Sequence, residues 1–214
     1  MKNLRTTFLA GAVLGAALST PLLAQDFPRL TLIRDDVTRS AVLSLLSGAS
    51  ARGVPTEPLM SKALEGVAKK ASSKAITDAV RALEGRMRRA LDLLGHDASV
   101  EEIAAGADAL SVGVADKTLR QMRAAAPRRS IVLELGVITE LVARKVPRDR
   151  AAKMVLELMA RGATPLQLTA LSAEVQGDVA AGLKPEVALD LRGRGVLSLL
   201  PPSPSAATLQ ARPR

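Results

Sequence analysis

Apolar residues recur every three or four positions along nearly all of the chain after Arg39, and no stretch shows sustained two-residue alternation. The first pattern belongs to helices with one buried stripe and the second to half-buried strands, so the chain reads as all-α. The strongest run is Ile76, Val80, Leu83, Met87, Leu91 and Leu94, with Lys74, Arg81 and Arg88 on the other side. Its steps of three and four form one continuous face. This predicts a long helix that opens at Ser72-Ser73 and closes at Gly95.

The remaining elements follow from caps and breakers. Asp35 or Asp36 opens a helix to about Leu46, followed by a loop over Gly48 to Gly53. Thr56 caps the next, with Pro58 in the first turn, where a missing amide costs nothing. Ser99 with Glu102 three residues on is a capping box, in which each side chain satisfies the other's backbone amide. Further helices start near Asp116, Ser130, Pro147 and Thr164-Pro165, and a short last one runs from Lys184-Pro185 to about Arg192. The helix starts resemble one another: Gly53-Val54-Pro55, Gly113-Val114-Ala115, Lys145-Val146-Pro147, Gly162-Ala163-Thr164-Pro165 and Gly182-Leu183-Lys184-Pro185. They predict seven to nine short helices in antiparallel hairpins, arranged as a bundle or a short irregular solenoid.

The first 24 residues have a different pattern. Lys2 and Arg5 precede an uncharged apolar run from Phe8 to Leu18, then Pro21 and Leu22-Leu23-Ala24. A basic start, an apolar centre and a small residue at the end make a cleavable secretory signal peptide. The apolar run is too short for a bilayer-spanning helix, which needs roughly 20 residues. The organisation expected is a signal peptide over 1–24, an N-terminal arm over 25–36, a helical domain over 37–193 and a Pro-rich disordered tail over 194–214. Export to the periplasm or the medium follows from this reading, and no transmembrane segment remains once the signal is removed.

Removing Lys2 and Arg5 takes the formal charge from +9 to +7, a balance that favours acidic partners. There is no cysteine, which excludes disulfides, thiol catalysis and cysteine-type metal sites. Past the signal the one aromatic residue is Phe27. Ring stacking, on which sugar and single-strand nucleic-acid surfaces rely, is therefore missing. The methionines Met87, Met122, Met154 and Met159 would suit an adaptable partner groove if they lay open, but at helical spacing they read first as core.

Gly53-Val54-Pro55-Thr56-Glu57-Pro58-Leu59, with Lys62-Ala63-Leu64-Glu65-Gly66 behind it, resembles a helix-hairpin segment of a group of uncharacterised exported bacterial all-helical proteins. Ala104 to Leu110 and Asp178 to Gly182 are similar to the same group. The resemblance implies export and helices. It carries no activity, cofactor or catalytic residue.

Candidate chemistry is sparse. His96 is the single histidine, and with Asp97 and Glu101-Glu102 it suggests a weak metal or acid–base group, although caps explain these residues as simply. Neither a Gly-x-Ser-x-Gly elbow nor a phosphate-binding Gly-x-x-x-x-Gly-Lys-Ser/Thr loop occurs. The basic clusters are the remaining candidates: Arg86, Arg88 and Arg89 within one helical turn, and Arg128-Arg129 before a helix start, where unpaired amides favour anions. These five arginines are the expected anion contacts. The expected function is non-catalytic, with no cofactor and no metal: an interaction or structural protein of the cell envelope, partnered by an envelope protein or peptide. One alternative is a basic anion-binding module for anionic lipid or polysaccharide, and a second is a carboxylate-dependent hydrolase. Nucleic acid is disfavoured as a partner because export separates the chain from it.

Overall fold

The computed structural model describes residues 27–202. The expected signal peptide, the first residues of the N-terminal arm and the tail from residue 203 lie outside the described residues. Among the described residues there are no strands and nine α-helices. They are α1 Asp36–Ala51, α2 Glu57–Ala68, α3 Ser73–Leu94, α4 Val100–Ser111, α5 Asp116–Ala125, α6 Val132–Ala143, α7 Arg148–Ala160, α8 Pro165–Ala180 and α9 Pro185–Ser198. No helix among the described residues is long and apolar enough to cross a membrane.

Several expected caps form. The Asp35 carboxylate accepts the Thr38 amide at 2.8 Å, and the Ser72 hydroxyl accepts the Ala75 amide at 3.3 Å. Ser99 and Glu102 close a full capping box, with bonds of 3.2 and 3.0 Å. Thr164 and Gln167 form a second one. Thr56 departs from expectation, since it occupies the cap position of α2 but its side chain makes no capping bond.

The recurring helix boundaries share one geometry. Gly53, Gly113, Lys145, Gly162 and Gly182 adopt positive φ of 72, 86, 71, 77 and 98°. The amide of the next residue then donates back to the helix: Val54 to Ala49, Val114 to Ala109, Val146 to Leu141, Ala163 to Leu158 and Leu183 to Asp178, all at 2.9–3.1 Å. This is the Schellman ending, in which a left-handed residue lets the chain satisfy its last carbonyls. Val54, Val114 and Val146, which follow the reversal, are almost fully buried. These three endings thus both stop a helix and pin the turn to the core, whereas Leu183 after Gly182 is exposed.

Two boundaries differ from the expectation. α1 continues through Gly48 to Ala51. A mid-helix glycine costs only about 1 kcal/mol, and the stop falls instead at Gly53, where the left-handed turn can form. α9 runs past Arg192 and residue 193 to Ser198. Val196, Leu197 and Leu200 pack against the core. Arg161 donates to the carbonyls of Leu197, Leu200 and Pro201 at 2.7–2.9 Å. The start of the expected tail is therefore ordered helix and cap. The arm is ordered too: Pro28–Leu32 forms a short 3-10 helix, and Leu30 and Ile33 are buried.

The helices stack in two layers. α1, α3, α5, α7 and α9 each pack on the next in that series, and α4, α6 and α8 do the same. The pairs α3–α4, α6–α7 and α8–α9 join the layers, and α2 sits on α1 and α3. Helix n packing on helix n+2 is the arrangement of a short solenoid of hairpins. One apolar cluster fills the α1–α4 end, and a second runs from the end of α3 to α9, with Ala98 and Leu110 touching both. Close crossings use small residues: a Cβ on Gly106 would lie 3.0 Å from the Ala90 Cβ, and one on Gly193 would meet Met154. Met87 and Met122 are fully buried core, while Met154 and Met159 are partly buried against it and Met154 reaches the wall of a groove between α7 and α9, so the four do not line one groove.

A side chain held at left-handed φ costs roughly 1–2 kcal/mol, which glycine avoids. Lys145→Gly is expected to raise unfolding stability by about 1 kcal/mol. Gly53→Ala, at a position with nothing within 4 Å of a new Cβ, is expected to lower it by a similar amount through backbone strain alone. Urea-unfolding midpoints of the two variants check the opposite signs.

Candidate functional site

The turn between α5 and α6 is where the expected anion contacts Arg128 and Arg129 meet the α4 capping box. A cleft of about 430 Å³ opens here, with Ser99, Glu102, Arg123, Arg128 and Arg129 among its walls. At its base is Glu102, only 5% exposed. Its Oε2 accepts the Ser99 amide as part of the cap. Its Oε1 accepts both a guanidinium N–H of Arg123 and the Ile131 amide, the latter at 3.1 Å. One carboxylate thus caps α4, holds the end of α5 and takes a backbone amide at the start of α6. Burial alone would raise the Glu102 pKa, but the Ser99 amide, Arg123 and the Ile131 amide outweigh it and hold the carboxyl below its ordinary value.

Arg123 also donates to the carbonyls of Ala126 and Arg129 at 3.2 and 3.4 Å, closing the turn from below. Arg129 pairs with Glu134, which is 2% exposed. The unpaired amide that was expected to draw a foreign anion thus already holds one, Glu102, supplied by the chain itself. Arg128 stays exposed on the rim.

The structure does not bring the five arginines together. Arg89 makes two bonds to Asp116 Oδ2, at 3.1 and 2.8 Å, and so ties α3 to the start of α5. Arg129 follows the end of that same helix, whose ten residues span about 15 Å. Arg86 is half-buried and Arg88 is exposed. His96 and Asp97 are exposed in the α3–α4 turn, and no group of three or more metal-ligating side chains forms among the described residues.

Other carboxylates also join the helices. Glu84 accepts from Arg52 at 2.9 Å, joining α3 to the end of α1. The hydroxyl of Ser172 donates to Glu140 at 2.6 Å between α8 and α6. Arg192 on α9 bonds Asp178 on α8 at 2.6 and 2.8 Å, which holds the Asp178 carboxyl below its usual range.

The charges also divide by layer, which sequence reasoning missed. α4, α6 and α8 contain seven Asp and Glu and not one Lys or Arg. α3, α5, α7 and α9 contain thirteen Lys and Arg against eight Asp and Glu. The signal was legible in the chain as three helical segments, 100–111, 132–143 and 165–180, that lack any basic residue. It gained meaning only once alternate helices were seen to lie side by side.

Comparison of the chain with protein-family models, with curated proteins and with solved structures gives no match.

Removing the Glu102 carboxylate leaves Arg123 without its charge partner and the Ser99 and Ile131 amides without their acceptor. Glu102→Ala is expected to cost about 3–5 kcal/mol, the usual loss when one partner of a buried pair is deleted. Glu102→Gln keeps an acceptor and is expected to cost less. Because the folded carboxyl titrates below its ordinary 4.5, its stabilisation is complete at neutral pH. That stabilisation drains away as pH falls from about 4.5 through the folded value. Unfolding titrations at pH 7 and pH 3 check this: the gap between wild type and Glu102→Gln is expected to narrow at pH 3.

Proposed function

We propose that this chain is an exported, non-catalytic interaction protein of the cell envelope, a rigid two-layer helical scaffold that works through its outer faces. The observation that carries the reading is the charge division between layers. Two broad helical faces of unlike charge let a small protein present different surfaces to different neighbours. The N-terminal pattern of residues 1–24 and the resemblance of the Gly53 to Leu59 segment to exported helical proteins support the compartment.

A carboxylate-dependent hydrolase has less support. The buried acids Glu84, Glu102 and Glu134 each accept a hydrogen bond from an arginine that joins or closes structural elements. Each arginine thereby occupies the carboxylate for a structural purpose, and Glu102, held below its ordinary pKa, is shifted in the direction opposite to that of a general acid.

The test is cosedimentation. The purified chain is mixed with isolated bacterial envelope fragments at low ionic strength and centrifuged. Saturable retention in the pellet is expected, equal for wild type and for a variant carrying Asp97→Asn and Glu101→Gln. A chain left in the supernatant would overturn the reading. Covalent turnover of envelope material that those two substitutions abolish would replace it with the hydrolase.

A further inference from the structure

We infer that the outer face formed by α5, α7 and α9, extended by α3, is a binding site for a linear polyanion, a polymer carrying phosphodiester or carboxylate groups. The inference rests on the interaction reading and names the ligand class for one of its faces.

Three contacts fix the register of these helices. Arg89 on α3 binds Asp116 at the start of α5. Arg148 at the start of α7 donates to the Gly113 carbonyl, just before α5, at 3.4 Å. Arg150 on α7 binds Asp190 on α9 at 3.0 Å. Arg161, just past the end of α7, then reaches the Leu197 carbonyl near the end of α9, so α7 and α9 run parallel. Counting onward at about 1.5 Å per residue, Arg120, Lys153 and Arg194 fall at similar heights on three adjacent helices. Packed helices lie about 8–10 Å apart, so the three cations form a row roughly 20 Å long. An open groove of about 390 Å³ between α7 and α9 has Arg150, Lys153 and Arg194 on its walls against Glu157 and Asp190, so it keeps a cationic excess of one. Lys117 and Arg88 extend the field toward α3. All five side chains are exposed, and none has a carboxylate partner among the described residues.

The pairing pattern separates this row from the sequence's other basic clusters. Arg89, Arg129 and Arg192 are held by Asp116, Glu134 and Asp178, and Lys69 by Glu65. Cations already neutralised within the chain gain little from a ligand, whereas Arg88, Lys117, Arg120, Lys153 and Arg194 are available. The acidic α4–α6–α8 layer on the other side confines a polyanion to this face.

A polymer fits better than a bilayer. Interfacial helices bury an apolar face below the head groups. The large apolar side chains exposed among the described residues include none on α3, α5 or α7 and two on α9, Val187 and Leu191, which is too little to seat the whole face in a bilayer. The face has no aromatic residue either, so recognition is by charge, with Arg forks on the oxygens of the ligand.

The experiment measures binding of the full chain to linear inorganic polyphosphate over a range of salt, with neutral dextran as control. Two triple variants are compared, Arg120→Gln/Lys153→Gln/Arg194→Gln and Lys62→Gln/Lys69→Gln/Lys70→Gln. They remove equal charge from different places, and circular dichroism verifies their folds. The row variant is expected to weaken binding about tenfold or more and to flatten the salt dependence by about two to three phosphate contacts, while the control variant changes affinity less than about threefold. Equal losses in both variants would reduce the effect to net charge and overturn the inference. So would tight binding to phosphatidylglycerol vesicles without binding to polyphosphate. Failure here with envelope cosedimentation intact sinks the polyanion site alone; failure of both sinks the interaction reading.

Discussion

A residue at left-handed φ followed by a buried valine ends three of the nine described helices, and a left-handed residue without the buried valine ends several more. Gly53-Val54, Gly113-Val114 and Lys145-Val146 show the rule most clearly, and each valine is at most 4% exposed. The left-handed residue reverses the chain, and the buried residue fixes the direction in which it leaves. Short hairpins follow. Successive hairpins cover one another only by placing each helix beside the one two places further on, and this makes the layers. A chain with no cysteine and one aromatic residue after residue 24 depends on this repetition, because no single cluster of large side chains could organise it.

The layers in turn give the electrostatics their form. A buried carboxylate needs donors: Glu102 meets Arg123 and two backbone amides, Glu84 meets Arg52, and Glu134 meets Arg129 on one oxygen while the other stays without a partner. They act as internal anions for helix starts and arginines that would otherwise seek external ones. The arginines they occupy are lost to ligand binding. What is left for a partner is the set of exposed cations along α3, α5, α7 and α9, faced on the far side by helices without a basic residue.

Much of the fold was legible in the chain. The stripe from Ile76 to Leu94, the Ser99–Glu102 box and the repeated turn signal gave the helices and their order. Gly48 misled because a glycine inside a helix looks like a break unless its backbone angle is known. The last turns of α9 were hidden because they are held by Arg161, 36 residues away from Leu197. The candidate site was less legible. Arg128-Arg129 stood out as adjacent charges, but pairing is a property of space, and Arg129 spends its charge on Glu134. The row of Arg120, Lys153 and Arg194 is scattered over 75 residues of chain and becomes a row only through stacking.

That stacking is tested most directly by cysteine pairs, which the natural absence of cysteine makes unambiguous. Arg150→Cys with Asp190→Cys replaces an ion pair that bridges α7 and α9, and Arg89→Cys with Asp116→Cys replaces one that bridges α3 and α5. Arg120→Cys with Glu140→Cys places the thiols on the outer faces of opposite layers. With a bifunctional thiol cross-linker of about 8–10 Å, the spacing of packed helices, the first two pairs are predicted to close rapidly within one folded chain and the third to stay open. Rapid closure of the third pair, with the first two open, would contradict the two-layer stack and everything built on it.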